Sequence, residues 1–192
     1  MTDRLRWATA VSVSLLVLIG VAYSQDEDLF AFIPDGGRTL LGELIEAGLP
    51  EPIQQDVAAG GRTGAEWLAY LDGQAPTVEA LGQFDDLQRR TLADYLAYNT
   101  PIDAVGRTDP DALPPDGRDL TLEYCQSCHI ITVVITQDRA REAWLGTMNK
   151  PSHIEIDLTP NQREALADYL VVNAGIPIEE VPPALRAGGA SY

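Results

Sequence analysis

Apolar positions recur at three- and four-residue intervals along much of the chain, the spacing of helices that bury one face. One such stripe, Leu166, Tyr169, Leu170 and Asn173, comes after Thr159-Pro160-Asn161-Gln162. Thr159 is an N-cap, Pro160 fits the first turn, and Gln162 completes a capping box. A second stripe runs through Leu92, Tyr95, Leu96 and Asn99. A helix starting near Asp138 places Ala140, Ala143, Trp144, Thr147 and Met148 on one face and should stop at Pro151. Asp116 can cap a further helix that runs into Cys125. Strand signals are sparse, with one β-branched run at Ile130–Thr136. The pattern predicts an all-α fold with three helices in each half.

The halves are related in sequence. Pro34-Asp35-Gly36-Gly37-Arg38 matches Pro115-Asp116-Gly117-Arg118, and Ala65-Glu66-Trp67-Leu68 matches Glu142-Ala143-Trp144-Leu145. Leu92-Ala93-Asp94-Tyr95-Leu96 matches Leu166-Ala167-Asp168-Tyr169-Leu170. Three matches in one order at nearly constant offset point to duplication, since shared helix patterning would explain only the last of them. Residues 25–100 then form one domain, 101–116 a linker rich in Pro, Asp and Gly, 117–175 a second domain, and 176–192 a Pro-rich tail lying extended over the surface.

The N-terminal segment 1–24 reads as a membrane anchor or a signal peptide. Arg4 and Arg6 precede an uncharged run, Trp7–Ser24, which ends at the acidic Asp26-Glu27-Asp28. As a helix, residues 7–23 would extend roughly 25 Å, usable as a membrane span. Ala22-Tyr23-Ser24 also suits a signal-peptidase site. Either reading sends the remainder to the exported side, the periplasm of a bacterium. The net charge of −16 is uneven: residues 25–116 hold 18 acids against 5 bases, and residues 117–192 hold 10 against 6. Such acidity disfavours nucleic acid as a partner. It reads first as a solvated surface, and otherwise as a docking face for a basic protein.

The chemistry concentrates at Cys125-Gln126-Ser127-Cys128-His129, which contains both cysteines of the chain. CxxCH is the attachment signature of a c-type heme: two thiols three positions apart reach two vinyl groups as thioethers, and the adjoining imidazole comes beneath the iron. A redox-active CxxC would want a strand before it, whereas a helical pattern leads in here. A structural zinc needs four ligands, and His129 beside Cys128 fits that tetrahedron poorly. Iron accepts Met or His on its other side, which leaves Met148, on the face of Trp144, or His153, in the loop after Pro151, or an open site.

The order CxxCH, Trp144-x-x-x-Met148, loop, and a helix ending Ala167-Asp168-Tyr169-Leu170 resembles monoheme cytochrome c domains, and within them the heme subunits of periplasmic dehydrogenases such as sulfite dehydrogenase. The resemblance covers about residues 115–173. It implies one covalent heme c, His129 as proximal ligand, Met148 as distal ligand, and Tyr169 and Leu170 on the helix that packs on the first. It also implies Arg139 or Arg141 as a contact for a heme propionate. Ile130–Thr136 departs from the family's more polar loop and reads as a heme cover or a partner contact.

Residues 25–100 keep the scaffold pattern without the chemistry. Ile45, Gly48 and Leu49 stand where Cys125, Cys128 and His129 would, and Leu71 stands opposite Met148. The expectation is tandem cytochrome c-like domains, the first without heme, behind an N-terminal hydrophobic helix. The expected function is transfer of single electrons between redox protein partners, with no enzymatic activity of its own. The alternatives are a heme-based binding or sensing protein for a small ligand, and a mainly structural subunit of a larger electron-transfer assembly.

Overall fold

The computed structural model describes residues 29–186. The expected helix over 7–23, the cleavage site near residue 24 and the end of the tail, 187–192, lie outside the described residues. Residues 29–32 belong with the N-terminal unit, and the fold begins at Ile33. All regular structure among the described residues is helical. None of these helices is long and apolar enough to cross a membrane.

The first half holds α1 (Gly37–Glu46), α2 (Glu51–Ala59), α3 (Gly64–Gln74), a short α4 (Glu79–Gly82) and α5 (Asp86–Asn99). The second holds α6 (Gly117–Leu120), which continues as a π-helical turn over Thr121–Cys125, then α7 (Thr132–Ile135), α8 (Arg141–Met148), α9 (Pro160–Asn173) and α10 (Pro183–Arg186). Three helices per half was therefore too few. The additional α2 carries Ile53 and Val57, both fully buried in the core of the first half.

Local chemistry starts the long helices. Asp85 and Thr159 each form the full capping box, with Gln88 and Gln162 returning the bond, at equivalent places in the two halves. Helix α8 begins at Arg141, after an N-cap Ala140 that offers no side-chain bond, three residues beyond the expected start. The β-branched run forms a helical turn rather than a strand. It is short, it has no neighbouring strand among the described residues to pair with, and Ile131, Val134 and Ile135 find burial as a turn.

Helix α1 crosses α5, and α6 crosses α9, at a glycine. A Cβ on Gly37 would lie 2.1 Å from Tyr95 Cβ, and one on Gly117 would lie 2.1 Å from Tyr169 Cβ. Only glycine allows so close an approach. The two tyrosines then reach across the halves. Tyr95 Oη donates to the Pro114 carbonyl (2.9 Å) and Tyr169 Oη to the Pro34 carbonyl (2.6 Å). Asp116, itself buried, caps α6 through Asp119 N–H (2.9 Å) and also takes Arg38 N–H from the first turn of α1 (2.8 Å). Burial and the neighbouring Asp119 raise the Asp116 pKa, against the pull of these backbone donors. Helices α5 and α9 pack together, and Asn173 Nδ2 donates to Thr91 Oγ1 (2.9 Å) between them.

The linker and tail differ from expectation. Within 101–116, Ile102 and Leu113 are buried in the core of the first half, and Ile102 N–H bonds the Val57 carbonyl (3.2 Å). The bonds of Tyr95 to the Pro114 carbonyl and of Arg38 N–H to Asp116 hold the same stretch. The described tail turns back: Val181 is fully buried, and Thr132 Oγ1 donates to the Leu185 carbonyl (2.6 Å).

Candidate functional site

The second half contains a cavity of about 460 Å³, within the range of small-molecule and cofactor sites. One wall is the end of the π-helical turn and the CxxCH segment that extends from it: Tyr124, Cys125, Cys128 and His129. Helix α8 contributes Trp144, Thr147 and Met148 to the lining, and the loop after it His153 and Ile156. Leu166 and Leu170 of α9, with Val133, Val134, Gln137 and Arg139, complete the lining. The apolar face of α8 thus places Trp144 and Met148 in the core of the second half, where both also border the cavity.

The cysteines sit differently. Cys125 is half-buried and Cys128 exposed, and neither forms a disulfide. Burial, with Cys128 nearby, pushes the Cys125 thiol up to about 11. A raised thiol pKa is opposite to the activation expected of a thiol–disulfide oxidoreductase. His129 N–H returns to the Cys125 carbonyl (3.0 Å), which closes the CxxCH turn. The His129 ring lies 6.1 Å from that of His153, the two planes 26° apart. His153 Nδ1 pairs with Ser152 Oγ (3.0 Å).

The side near Arg139 is polar. Arg139 lies over the Trp144 ring at 5.1 Å from its centroid, a cation–π contact. It also donates to Thr147 Oγ1 (3.1 Å) and to Gln137 Oε1. Trp144 Nε1 is buried and has no hydrogen-bond partner among the described residues. Trp67 Nε1, its counterpart in the filled first half, is likewise buried without a partner, so the unpaired indole belongs to the shared scaffold.

Six expected site residues, Cys125, Cys128, His129, Arg139, Met148 and His153, therefore line one cavity. Arg141 does not. Its guanidinium pairs with Asp168 and Glu164 of α9 and also donates to Tyr98 Oη of the first half, so the expected propionate contact is corrected to an ion pair within the second half. One position after the N-cap turns Arg141 towards α9, whereas Arg139 precedes the helix and faces the cavity.

Arg163 was not foreseen. It is buried, and its guanidinium donates to the carbonyls of Met148 (2.7 Å), His153 (3.4 Å), Ile154 (3.3 Å) and Ile156 (2.8 Å). The signal was present: Arg163 lies three and seven residues before Leu166 and Leu170, a charged side chain on an apolar stripe. The repeat carries it too, because Arg89 stands likewise before Leu92 and Leu96 and donates to the Phe84 carbonyl.

The corresponding region of the first half is filled. Leu49 and Leu71, which stand for His129 and Met148, are buried with Ile53, Val57, Leu81 and Phe84. The framing survives: Arg62 lies over the Trp67 ring at 4.7 Å, as Arg139 does over Trp144. Among the described residues, no group of three or more His, Cys, Asp or Glu is arranged to hold a metal ion. Comparison with family models, curated proteins and solved structures found no match to the chain.

Proposed function

We propose that the chain is a monoheme c-type cytochrome that carries single electrons between protein partners. The observation that carries this is the convergence on one cavity of both CxxCH thiols, His129 and Met148. The donor set fits a heme. Cys125 and Cys128 would hold it as thioethers, His129 and Met148 would ligate its iron, and the apolar Val133, Val134, Leu166 and Leu170 would exclude water. Trp144 Nε1 and Arg139 offer a neutral donor and a cation on one side, suited to a carboxylate.

A heme held in this way supplies a reversible one-electron change at iron. Thioether ligation by Met148 and a water-poor pocket both favour the reduced state. Cys128 and His129 are exposed at the cavity mouth, so an electron has a short route to a partner docked there. Acidic residues 25–116 suit a basic partner. On the same reading the first half is a cytochrome-like domain that has lost its heme, with Leu49, Leu71, Ile53 and Val57 occupying the vacated volume. The exported side of a membrane is the compartment in which the protein works, anchored by residues 7–23 if that segment is retained.

The test is production with a c-type heme maturation system, followed by denaturing electrophoresis stained for heme. Covalent heme that is lost in Cys125→Ser and Cys128→Ser supports the reading, and a wild-type chain that never acquires heme refutes it. Ferric spectra of Met148→Ala and His153→Ala then assign the sixth ligand. A low-spin spectrum unchanged by loss of Met148 overturns Met148. Ready binding of carbon monoxide to the reduced wild type favours the small-ligand sensor instead.

A further inference from the structure

Arg163 is a buried cation that forms no ion pair among the described residues. Its planar guanidinium instead faces a set of backbone carbonyls, and its two shortest bonds reach the last residue of α8, Met148 O at 2.7 Å, and the later part of the following loop, Ile156 O at 2.8 Å. Longer bonds reach His153 O and Ile154 O between them. The loop consists of turns; Ile156 and Leu158 at its far end pack on the core of the second half, while its middle, at Ile154, is 61% exposed. The loop is also where two competing side chains lie: Met148 and His153 both line the cavity, five residues apart, with the same guanidinium on both of their carbonyls.

Resting on the heme reading above, we infer that Arg163 is a positioning residue that keeps Met148, and not His153, on the distal side of the iron. Bidentate donation to a helix C-terminus and the loop after it fixes both backbones at once, which a lysine with its compact ammonium does less well. Imidazole is a good ligand for iron in both valence states, while thioether ligation favours the ferrous state. With the backbone fixed, Met148 keeps the site. With the clamp gone, four carbonyls lose their buried donor and the loop shifts, which frees His153 to compete.

The experiment is the heme-loaded Arg163→Met protein, read by the weak red thioether-to-iron band of the ferric form, by electron paramagnetic resonance and by reduction potential. The expected result is loss of the band, a spectrum that stays low-spin, and a lower potential. Adding His153→Ala to Arg163→Met should abolish that new low-spin species. Arg89→Met, the counterpart in the first half, should leave the band in place. If Arg163→Met carries no heme, Arg163→Lys is read in the same way, with partial loss of the band expected. Retention of the full band and potential in whichever variant is read overturns the inference and leaves the heme assignment standing. So does a new species indifferent to His153, which would make Arg163 a fold support only. A wild type that binds heme without the thioether band instead sinks the Met148 assignment itself.

Discussion

Alanine at Gly117 tests how the fold builds the cavity. The added Cβ would stand 2.1 Å from Tyr169 Cβ, 2.4 Å from its Cγ and 3.1 Å from its Cδ1, where carbon atoms prefer about 3.5–4.0 Å. Tyr169 cannot swing aside, because it is buried and its hydroxyl is bonded to the Pro34 carbonyl. Helices α6 and α9 must therefore part by roughly 1 Å or more, on the order of a forced methylene in a tight core, about 1–3 kcal/mol. Loosening the Tyr169 bond adds about 1 kcal/mol. The better helix propensity of alanine returns up to about 1 kcal/mol, less at a first turn. The net expectation is a loss of about 3 kcal/mol, or roughly 6–12 °C in Tm for a chain of this size. Gly37→Ala meets Tyr95 in the same way and should cost a similar amount. The two variants should part in function: Gly117→Ala moves the wall that carries Cys125 and lowers heme attachment, while Gly37→Ala leaves attachment intact. Chemical denaturation with heme quantitation checks both. A Gly117→Ala or Gly37→Ala protein within about 0.5 kcal/mol of the parent, the range of an ordinary surface substitution, would refute the close-crossing argument.

Single contacts give further expected outcomes. Asp116→Ala removes the donors' partner at the starts of α1 and α6 together, so denaturant unfolding should show a loss of about 2 kcal/mol, one N-cap's worth for each helix. Burial first, and Asp168 second, raise the Asp94 carboxyl to about 6. The folded protein thus binds that proton more tightly than the unfolded chain, and stability falls as pH rises from about 4 through 6. Asp94→Asn should be more stable than the parent above about pH 7, by about 1 kcal/mol once its 26% side-chain exposure is allowed for, and should show no gain at about pH 4. Thermal melts at the two pH values decide it. Arg141→Ala should cost about 1 kcal/mol and leave the heme spectrum untouched, whereas Arg139→Ala should shift the reduction potential, because of the two only Arg139 borders the cavity.

The sequence by itself determined the helices that carry their own signals. The Thr159 and Asp85 caps and the stripes of α5 and α9 need no distant partner, so they were legible. The cavity wall was legible for the same reason: residues on one face of one helix, such as Trp144 and Met148, must face the same way. The proposed heme attachment was legible too, because CxxCH is a local spacing. Contacts between segments far apart in the chain were decided only by tertiary structure. Leu113 and Ile102 convert a polar linker into core, Ile131 and Val134 turn a strand-like run into a helical turn, and Arg141 turns away to Asp168 while Arg139 stays. Arg163 shows the division most clearly. Its place on an apolar stripe was written in the sequence, but only the fold brings the loop's carbonyls around it, because backbone carbonyls leave no mark in side-chain pattern.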